Sequence, residues 1–182
     1  MTIYTVGHST HAAEEFIRIL EAHSIQLVAD IRTVPRSRHN PQFESETLRK
    51  TLHEHNMEYV HLPELGGLRH AKKDSINVGW KNASFRGYAD YMQTEAFSLA
   101  VEHLREIAQD RKTAIMCAEA VPWRCHRSLV GDALLVRQVE VMDILSVNNS
   151  KPHKLTAWAR TEDTRITYPK PREMGDNPNL DG

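Results

Sequence analysis

The chain has 182 residues, of which 40% are hydrophobic and 26% are charged, and its formal net charge is −1. These values suit one domain with a single core and argue against a strongly basic nucleic-acid coat, although they allow a local basic patch. Two cysteines are too few for a disulfide framework, and no segment resembles a signal peptide or approaches the roughly 20 apolar residues of a membrane span, so we expect a cytoplasmic protein.

The N-terminal segment shows a strand–helix–strand pattern. Residues 2–6 predict a first strand, after which Ser9 or Thr10 is expected to cap a helix from about residue 11 to residue 23. Residues 26–30 are nearly all apolar and predict a second strand. This order favours parallel strands joined by a right-handed crossover.

An arginine-rich segment follows the second strand. Residues 32–39 contain three arginines and a histidine, and Pro35 and Pro41 keep the segment irregular. Ser45 is expected to cap a helix over residues 46–55, and residues 57–61 predict a third strand.

The middle of the chain combines a long loop with helical signals. Residues 62–84 have no clear periodicity, and a loop of that length in a compact domain is typical of a lid or a binding loop. Residues 85–92 predict a helical turn, and Thr94 is expected to cap the longest helix, which runs to about Gln109.

The C-terminal part predicts two more strands and a tail. The elements expected there are a strand over 113–116, a helix over 128–137, a strand over 139–145, a turn over 148–154, a short helix over 155–159 and an edge segment over 165–168. Residues 1–169 are thus expected to form one α/β domain, and residues 170–182 a polar, disordered tail. The predicted architecture is a three-layer sandwich with a mostly parallel sheet of about five strands flanked by helices.

A strand–loop–helix junction, residues 117–127, contains both cysteines together with a glutamate, a histidine and two arginines. Ligands of open α/β sheets bind beyond the carboxyl ends of the strands, where such junctions lie. Polar residues also follow each earlier strand, so we expect one cleft lined by residues from four strand ends. The members expected there are His8, Ser9, Asp30, Arg32, His61, Glu64, Cys117, Glu119 and Arg127.

Several blocks of the sequence resemble the signature blocks of the "domain of unknown function 488" family. The matching blocks are residues 5–9, residues 30–35 with Ser37, residues 62–67, and Cys117-Ala118-Glu119 with Cys125-His126-Arg127, and residues 155–156 and 167–169 are also similar. The resemblance runs from about residue 3 to residue 169 and implies a compact α/β domain. It implies no activity, because none is agreed for the family. In one departure, the family often carries a histidine in the last strand, where this chain has Asp143.

The first functional hypothesis is an enzyme that acts on a small anionic ligand, either phosphate-bearing or nucleotide-like. Guanidinium groups match phosphate and carboxylate, and thiols, carboxylates and imidazoles carry nucleophilic and proton-transfer chemistry. The candidate catalytic residues are Cys117, Glu119, His8, His126 and Asp30, and the candidate ligand-binding residues are Arg32, Ser9, Arg36, Arg127, Cys125 and Glu64.

Two alternatives remain open at this stage. One is a nucleic-acid-binding module in which the Arg32–Arg38 loop contacts phosphates. The other is a metal or redox sensor built on Cys117, Cys125 and His126. The cysteine and histidine spacing matches no common zinc motif, so we assign no metal ligand, leave the cofactor unknown and expect no stoichiometric metal. Substrate, reaction and oligomeric state do not follow from the sequence.

The two thiols are expected to differ in acidity. Cys125 lies next to Arg124 at the start of a predicted helix, and both the helix dipole and the positive charge favour a thiolate. Cys117 ends a buried strand, where desolvation raises the pKa of a thiol. Whether Cys117 is reactive or structural is left open.

Overall fold

The computed structural model of the chain describes residues 1–170. Residues 171–182 of the predicted disordered tail lie outside the described residues. The helices α1 to α5 span Ala13–Ala22, Ser45–Glu54, Ala83–Tyr91, Glu95–Ile107 and Arg127–Leu135. The strands β1 to β8 span Thr2–Gly7, Leu27–Asp30, Glu58–His61, Thr113–Cys117, Glu140–Ser146, Asn149–Pro152, Arg160–Glu162 and Arg165–Thr167.

Six strands form one mostly parallel sheet in the order β3-β2-β4-β1-β5-β6. The first five of these in the sheet run parallel, and β6 is antiparallel to β5. Strands β7 and β8 form a separate antiparallel pair. The α/β class with a mostly parallel sheet is therefore confirmed, with one strand more in the sheet than the sequence indicated.

Helices cover both faces of the sheet and create the expected three layers. On one face, Phe16 of α1 and Leu52 of α2 pack in a cluster with Val28 and Met116 of the sheet. On the other face, helices α3, α4 and α5 contribute to a second cluster that contains Ile115. Alternate residues of β4 thus point into different layers, as expected for a strand buried on both sides. No helix within residues 1–170 is long and apolar enough to cross a membrane.

The predicted helix cap is confirmed for one helix and wrong for two others. Thr94 caps α4, because its side chain accepts a hydrogen bond from the Phe97 N–H. Ser9 does not cap α1, since its backbone N–H pairs with Ala118 O and its φ of 49° belongs to the left-handed region. Helix α1 instead begins after Ala12, and α2 after Glu44, in both cases without a side-chain cap. The predicted caps Ser9, Thr10 and Ser45 are therefore wrong.

Two predictions near the C-terminus are also wrong. The predicted turn over residues 148–154 contains strand β6, because backbone groups there pair with β5. The predicted helix over residues 155–159 is absent, and this segment is held partly by a hydrogen bond from Thr156 N–H to the Asp132 carboxylate, 3.1 Å long. Both segments take their shape from distant partners rather than from their own propensity.

A buried ion triad fastens the C-terminal strands to α5. The His153 ring lies between Asp143 Oδ2 at 2.9 Å and Asp132 Oδ1 at 3.2 Å. Asp143 also accepts a hydrogen bond from the Thr5 hydroxyl, and Asp132 accepts one from the Tyr168 hydroxyl. Asp143 therefore meets a histidine in this chain, supplied by the segment after β6.

His153 should make the stability of the protein depend on pH. Burial opposes the charged ring, but hydrogen bonds to Asp132 and Asp143 outweigh it and raise the pKa of His153 from 6.5 to about 9. A raised folded-state pKa adds stability that is fully present below pH 6.5 and is lost as the pH rises through 9. Between pH 6.5 and 9, the free energy of unfolding should therefore fall by roughly 1–3 kcal/mol less in His153→Gln than in the wild type. Urea unfolding across this range measures the difference.

The matched control for this measurement is His70→Gln, because His70 is an exposed loop residue. Cys125 titrates in part of the same pH range, but its effect on stability is opposite to that of His153. Its pKa is lowered from 9.0 to about 7, so its contribution to stability grows as the pH rises. The test is therefore the difference between variant and wild type. Parallel profiles for the wild type and His153→Gln would contradict the prediction.

Candidate functional site

An open cleft of about 520 Å³ lies at the carboxyl edge of the sheet. It lies beside the ends of β1 and β4 and includes residues of the loops that follow β2 and β3. Among the described residues, its lining is Ser9, Thr10, Asn40, Gly67, Ser84, Phe85, Cys117, Ala118, Glu119, Ala120, Arg124, Cys125 and His126. The junction over residues 117–127 thus supplies most of the cleft wall.

Two buried contacts fix the loop between the cysteines. The Arg127 guanidinium is fully buried and donates to the backbone carbonyls of Glu119 and Ala120. On the other side, Gly7 of β1 packs so closely that a Cβ at this position would overlap Glu119 O. The loop is therefore clamped between α5 and β1, which sets the positions of both cysteines.

Cys117, Cys125 and His126 converge at the base of the cleft. The His126 Nδ1 atom lies 3.9 Å from Cys117 Sγ and 3.7 Å from Cys125 Sγ. The two sulfurs and the ring nitrogen all lie within 4.8 Å of one another. We refer to these three side chains as the thiol–imidazole cluster. Such a cluster offers soft and borderline ligand atoms that suit a transition metal.

The orientation of the His126 ring leaves Nδ1 free to accept. Its other nitrogen, Nε2, lies 3.3 Å from Ile31 O, and a carbonyl can only accept a hydrogen bond. Nε2 therefore carries the proton, and the lone pair of Nδ1 faces the two sulfurs. A Cβ on Gly67 would come within 2.5 Å of Nδ1, so glycine keeps the space beside this atom clear.

The two thiols have opposite pKa shifts. The pKa of Cys125 is lowered to about 7, first because the Cys117 thiol donates a hydrogen bond to its thiolate and then because Arg127 is near. The pKa of Cys117 is raised to about 12 by the same hydrogen bond and by burial. Cys125 is thus the more acidic thiol, as its position before a helix and beside arginines indicates.

A second set of predicted residues forms a buried network outside the cleft lining. Asp30 and Arg32 are paired by a hydrogen bond of 2.6 Å between Arg32 Nη2 and Asp30 Oδ2, and Arg32 also donates to Phe43 O. The His8 Nε2 atom lies 3.3 Å from Arg32 Nη1, and burial lowers the pKa of His8 to about 4. Since the guanidinium only donates, neutral His8 accepts through Nε2 and donates through Nδ1 to Ser9 O.

The structure brings together only part of the predicted set. Cys117, Glu119, Cys125, His126 and Ser9 line the cleft. The buried members, which are absent from its lining, are His8, Asp30, Arg32 and Arg127. The solvent-exposed members Arg36 and Glu64 also lie outside it, and half-buried His61 contacts Arg32 O instead. The catalytic and binding roles assigned to these residues stay predictions.

Sequence reasoning missed two residues of the site. The first is Arg124, an exposed cation in the cleft wall, which is not among the predicted site residues. The second is Gly67, which the sequence places only in the predicted loop over residues 62–84, although its position beside His126 depends on having no side chain. The Gly66-Gly67 pair was the available signal, because consecutive glycines often mark a close approach of the backbone.

Residues 12–134 match the family model described as "Domain of unknown function DUF488". The chain belongs to this family. No curated protein and no solved structure matches the chain. The DUF488 match includes Cys117, Glu119, Cys125 and His126 but not His8, Ser9 or the triad residues Asp143 and His153. The family therefore covers the thiol–imidazole cluster without supplying an activity for it.

Arg127→Lys should destabilise this DUF488 domain. A lysine presents a single ammonium, so it should leave one of the two carbonyls of the loop buried and unpaired. We expect the free energy of unfolding to fall by about 1–3 kcal/mol in urea titrations. The control is Arg124→Lys in the same loop, which is exposed and should change stability by less than about 0.5 kcal/mol. Equal losses of unfolding free energy in the two variants would contradict the role of Arg127 in holding the loop.

Alkylation across pH should separate the two cysteines. In reduced protein treated with a chelator, Cys125 should react with iodoacetamide near pH 7, before Cys117, because its pKa is the lower of the two. Cys117→Ala removes the thiol that donates to Cys125, so the pH at which Cys125 is half reactive should rise. Mass spectrometry of peptides assigns the modified residue, and modification of Cys117 first at neutral pH would contradict the prediction.

Proposed function

We propose that the thiol–imidazole cluster binds one transition-metal ion, zinc by ligand type, although the cysteine and histidine spacing alone predicts no stoichiometric metal, and that the protein is a metal-dependent hydrolytic enzyme. The observation that carries this proposal is the convergence of Cys117 Sγ, Cys125 Sγ and His126 Nδ1 within 4.8 Å. Two cysteine thiolates and one neutral imidazole are a ligand set used by catalytic zinc.

The distances from His126 Nδ1 to the two sulfurs are close to those of a tetrahedral ion. With a Zn–S distance of about 2.3 Å and a Zn–N distance of about 2.1 Å, sulfur and nitrogen in a tetrahedral site lie roughly 3.6 Å apart. The corresponding distances to His126 Nδ1 are 3.9 Å and 3.7 Å. The contact between His126 Nε2 and Ile31 O adds support, because metal-binding histidines usually donate their other ring N–H to a backbone or carboxylate oxygen.

The proposed metal would keep one position open toward the cleft. Residues 1–170 offer three ligands in this cluster, and all three line the cleft. Structural zinc sites use four protein ligands, whereas catalytic sites use three and leave the fourth for water or substrate. A zinc-bound water has a pKa near 7, which makes it a nucleophile at neutral pH.

Glu119 is the residue proposed to move the proton. Glu119 lines the same cleft as the cluster, and its Oε1 accepts a hydrogen bond from the Ala120 N–H at 3.0 Å. That contact restrains one carboxylate oxygen. A carboxylate beside a metal-bound water can take its proton and return it to the leaving group.

The anionic-ligand hypothesis persists in a changed form. The guanidinium groups of Arg32 and Arg127 are occupied by Asp30 and by backbone carbonyls, so the proposal does not use them to bind substrate. Arg124 is exposed in the cleft wall and forms no ion pair within the described residues. It is the cation proposed to attract an anionic group of the substrate.

Metal content gives the direct test. Protein purified from zinc-supplemented cells should contain about one zinc ion per chain, and Cys125→Ser and His126→Ala should each lose it. His70→Ala, which changes an exposed loop histidine, is the matched control and should keep the ion. Should the variants fail to fold, zinc titration of the chelator-treated wild type against a competing dye gives the stoichiometry. A folded wild type that takes up no zinc overturns the proposal.

Cobalt substitution tests the open position without a known substrate. Cobalt should give thiolate charge-transfer bands that are lost in Cys117→Ser, and azide should shift the spectrum by entering the fourth position. Glu119→Gln should keep the spectrum but reduce hydrolysis of p-nitrophenyl acetate by roughly 10²- to 10⁴-fold. A spectrum that does not respond to azide would indicate a closed, structural site.

A reversible dithiol is the second candidate function. The observation that favours it is the pairing of a thiolate-forming Cys125, with a pKa of about 7, with a Cys117 whose pKa is raised to about 12. Reaction with hydrogen peroxide would join the two sulfurs, with loss of two protons and two electrons that convert the peroxide to two waters. Metal-free protein that forms a 117–125 disulfide at micromolar peroxide would favour this candidate.

A further inference from the structure

A second cavity, of about 630 Å³, is lined in part by Pro122 and Trp123 of the loop that carries the cysteines. Trp80, Trp123 and Trp158 all line it, and they are the three tryptophans of the chain. We call it the aromatic cavity. Its volume lies within the range of about 300–1,000 Å³ typical of small-molecule sites, which are mostly apolar with a few polar groups.

Two of the tryptophans form a fixed wall. The rings of Trp80 and Trp158 meet edge to face with centroids 5.0 Å apart, and Trp80 also contacts Phe85 and Tyr168. The third, Trp123, is 66% exposed and stacks on no aromatic ring within residues 1–170. Trp123 lies in a short 3-10 turn, and its exposed ring in the cavity lining offers a free face to a planar ligand.

The polar groups on the floor of the aromatic cavity already have hydrogen-bond partners within the protein. His153 and Asp143 line it, and each is already held by the triad with Asp132. Ser128 also lines it and donates to Cys125 O at 2.9 Å. These groups shape the floor without presenting a free charge, so charged recognition must come from elsewhere in the lining.

The rim supplies that charge. Lys151 on β6 and Lys154 just after it both line the cavity and are exposed. Neither lysine forms an ion pair with a carboxylate in the described part of the chain. Lysine is a common point-charge partner of phosphate.

We infer that the aromatic cavity binds a mononucleotide. Its base would stack on Trp123, and its phosphate would lie between Lys151 and Lys154. Base–aromatic stacking tolerates every base, so the cavity selects the nucleotide class rather than one base. A cavity of about 630 Å³ has room for a single nucleotide but not for a continuous strand. This inference does not depend on the metal proposed at the cluster.

Intrinsic fluorescence tests the inference, because every tryptophan of the chain lines this cavity. Titration with AMP, with excitation at the red edge of tryptophan absorption, should give saturable quenching, and calorimetry should give the same affinity. Trp123→Ala should weaken AMP binding at least about fivefold through lost stacking. Lys151→Ala/Lys154→Ala should weaken it about tenfold or more through lost phosphate contacts.

The control Lys50→Ala/Lys73→Ala removes the same charge from exposed positions elsewhere and should bind AMP as the wild type does. The chelator-treated wild type should bind AMP as the untreated protein does, so a failure of AMP binding is distinguishable from a failure of the metal proposal. No saturable binding, or unchanged binding in Trp123→Ala, overturns the inference. Adenosine that binds as tightly as AMP overturns the phosphate contact, and oligoadenylate that binds much more tightly than AMP makes nucleic acid the occupant instead.

Discussion

A buried guanidinium without a carboxylate partner determines the shape of the cleft. Arg127 is fully buried, and in residues 1–170 no carboxylate lies within ion-pairing distance of it. A buried charge is costly unless hydrogen bonds compensate it, and here the compensation comes from the carbonyls of Glu119 and Ala120. The loop must therefore fold over α5 so that these carbonyls point inward. This brings Cys117 and Cys125 to the same point, and the charge of Arg127 contributes to the lowered pKa of Cys125.

The fold was predictable where periodicity is strong. The five parallel strands and the long helix after Thr94 follow from apolar runs and a cap that the chain signals locally. Strand β6 was missed because Asn149–Pro152 is polar and becomes a strand only by pairing with β5. Local propensity carries no information about such a pairing, which depends on long-range contacts.

The candidate site was predictable in place but not in geometry. Two cysteines, a glutamate and a histidine between a strand and a helix marked residues 117–127 as chemically unusual. The direction of the Arg127 side chain was not predictable, because an arginine at the start of a helix can face a ligand or the interior with the same sequence. The approach of His126 to Ile31 O joins residues 95 positions apart and likewise leaves no local pattern. The sequence thus shows which ligand-forming residue types are present, whereas only the fold shows that their side chains lie close together.

The two edges of the sheet have a consequence for self-association. Edge strands expose unpaired backbone groups that can recruit a second copy of a chain into a continuous sheet. Here the edges are β3 and β6, each only four residues long. β6 carries Lys151 and Pro152, and β3 begins with Glu58 in an ion pair with Arg111. Short, charged edges of this kind disfavour fibril-like stacking, so the apolar run of β4 stays protected in the middle of the sheet.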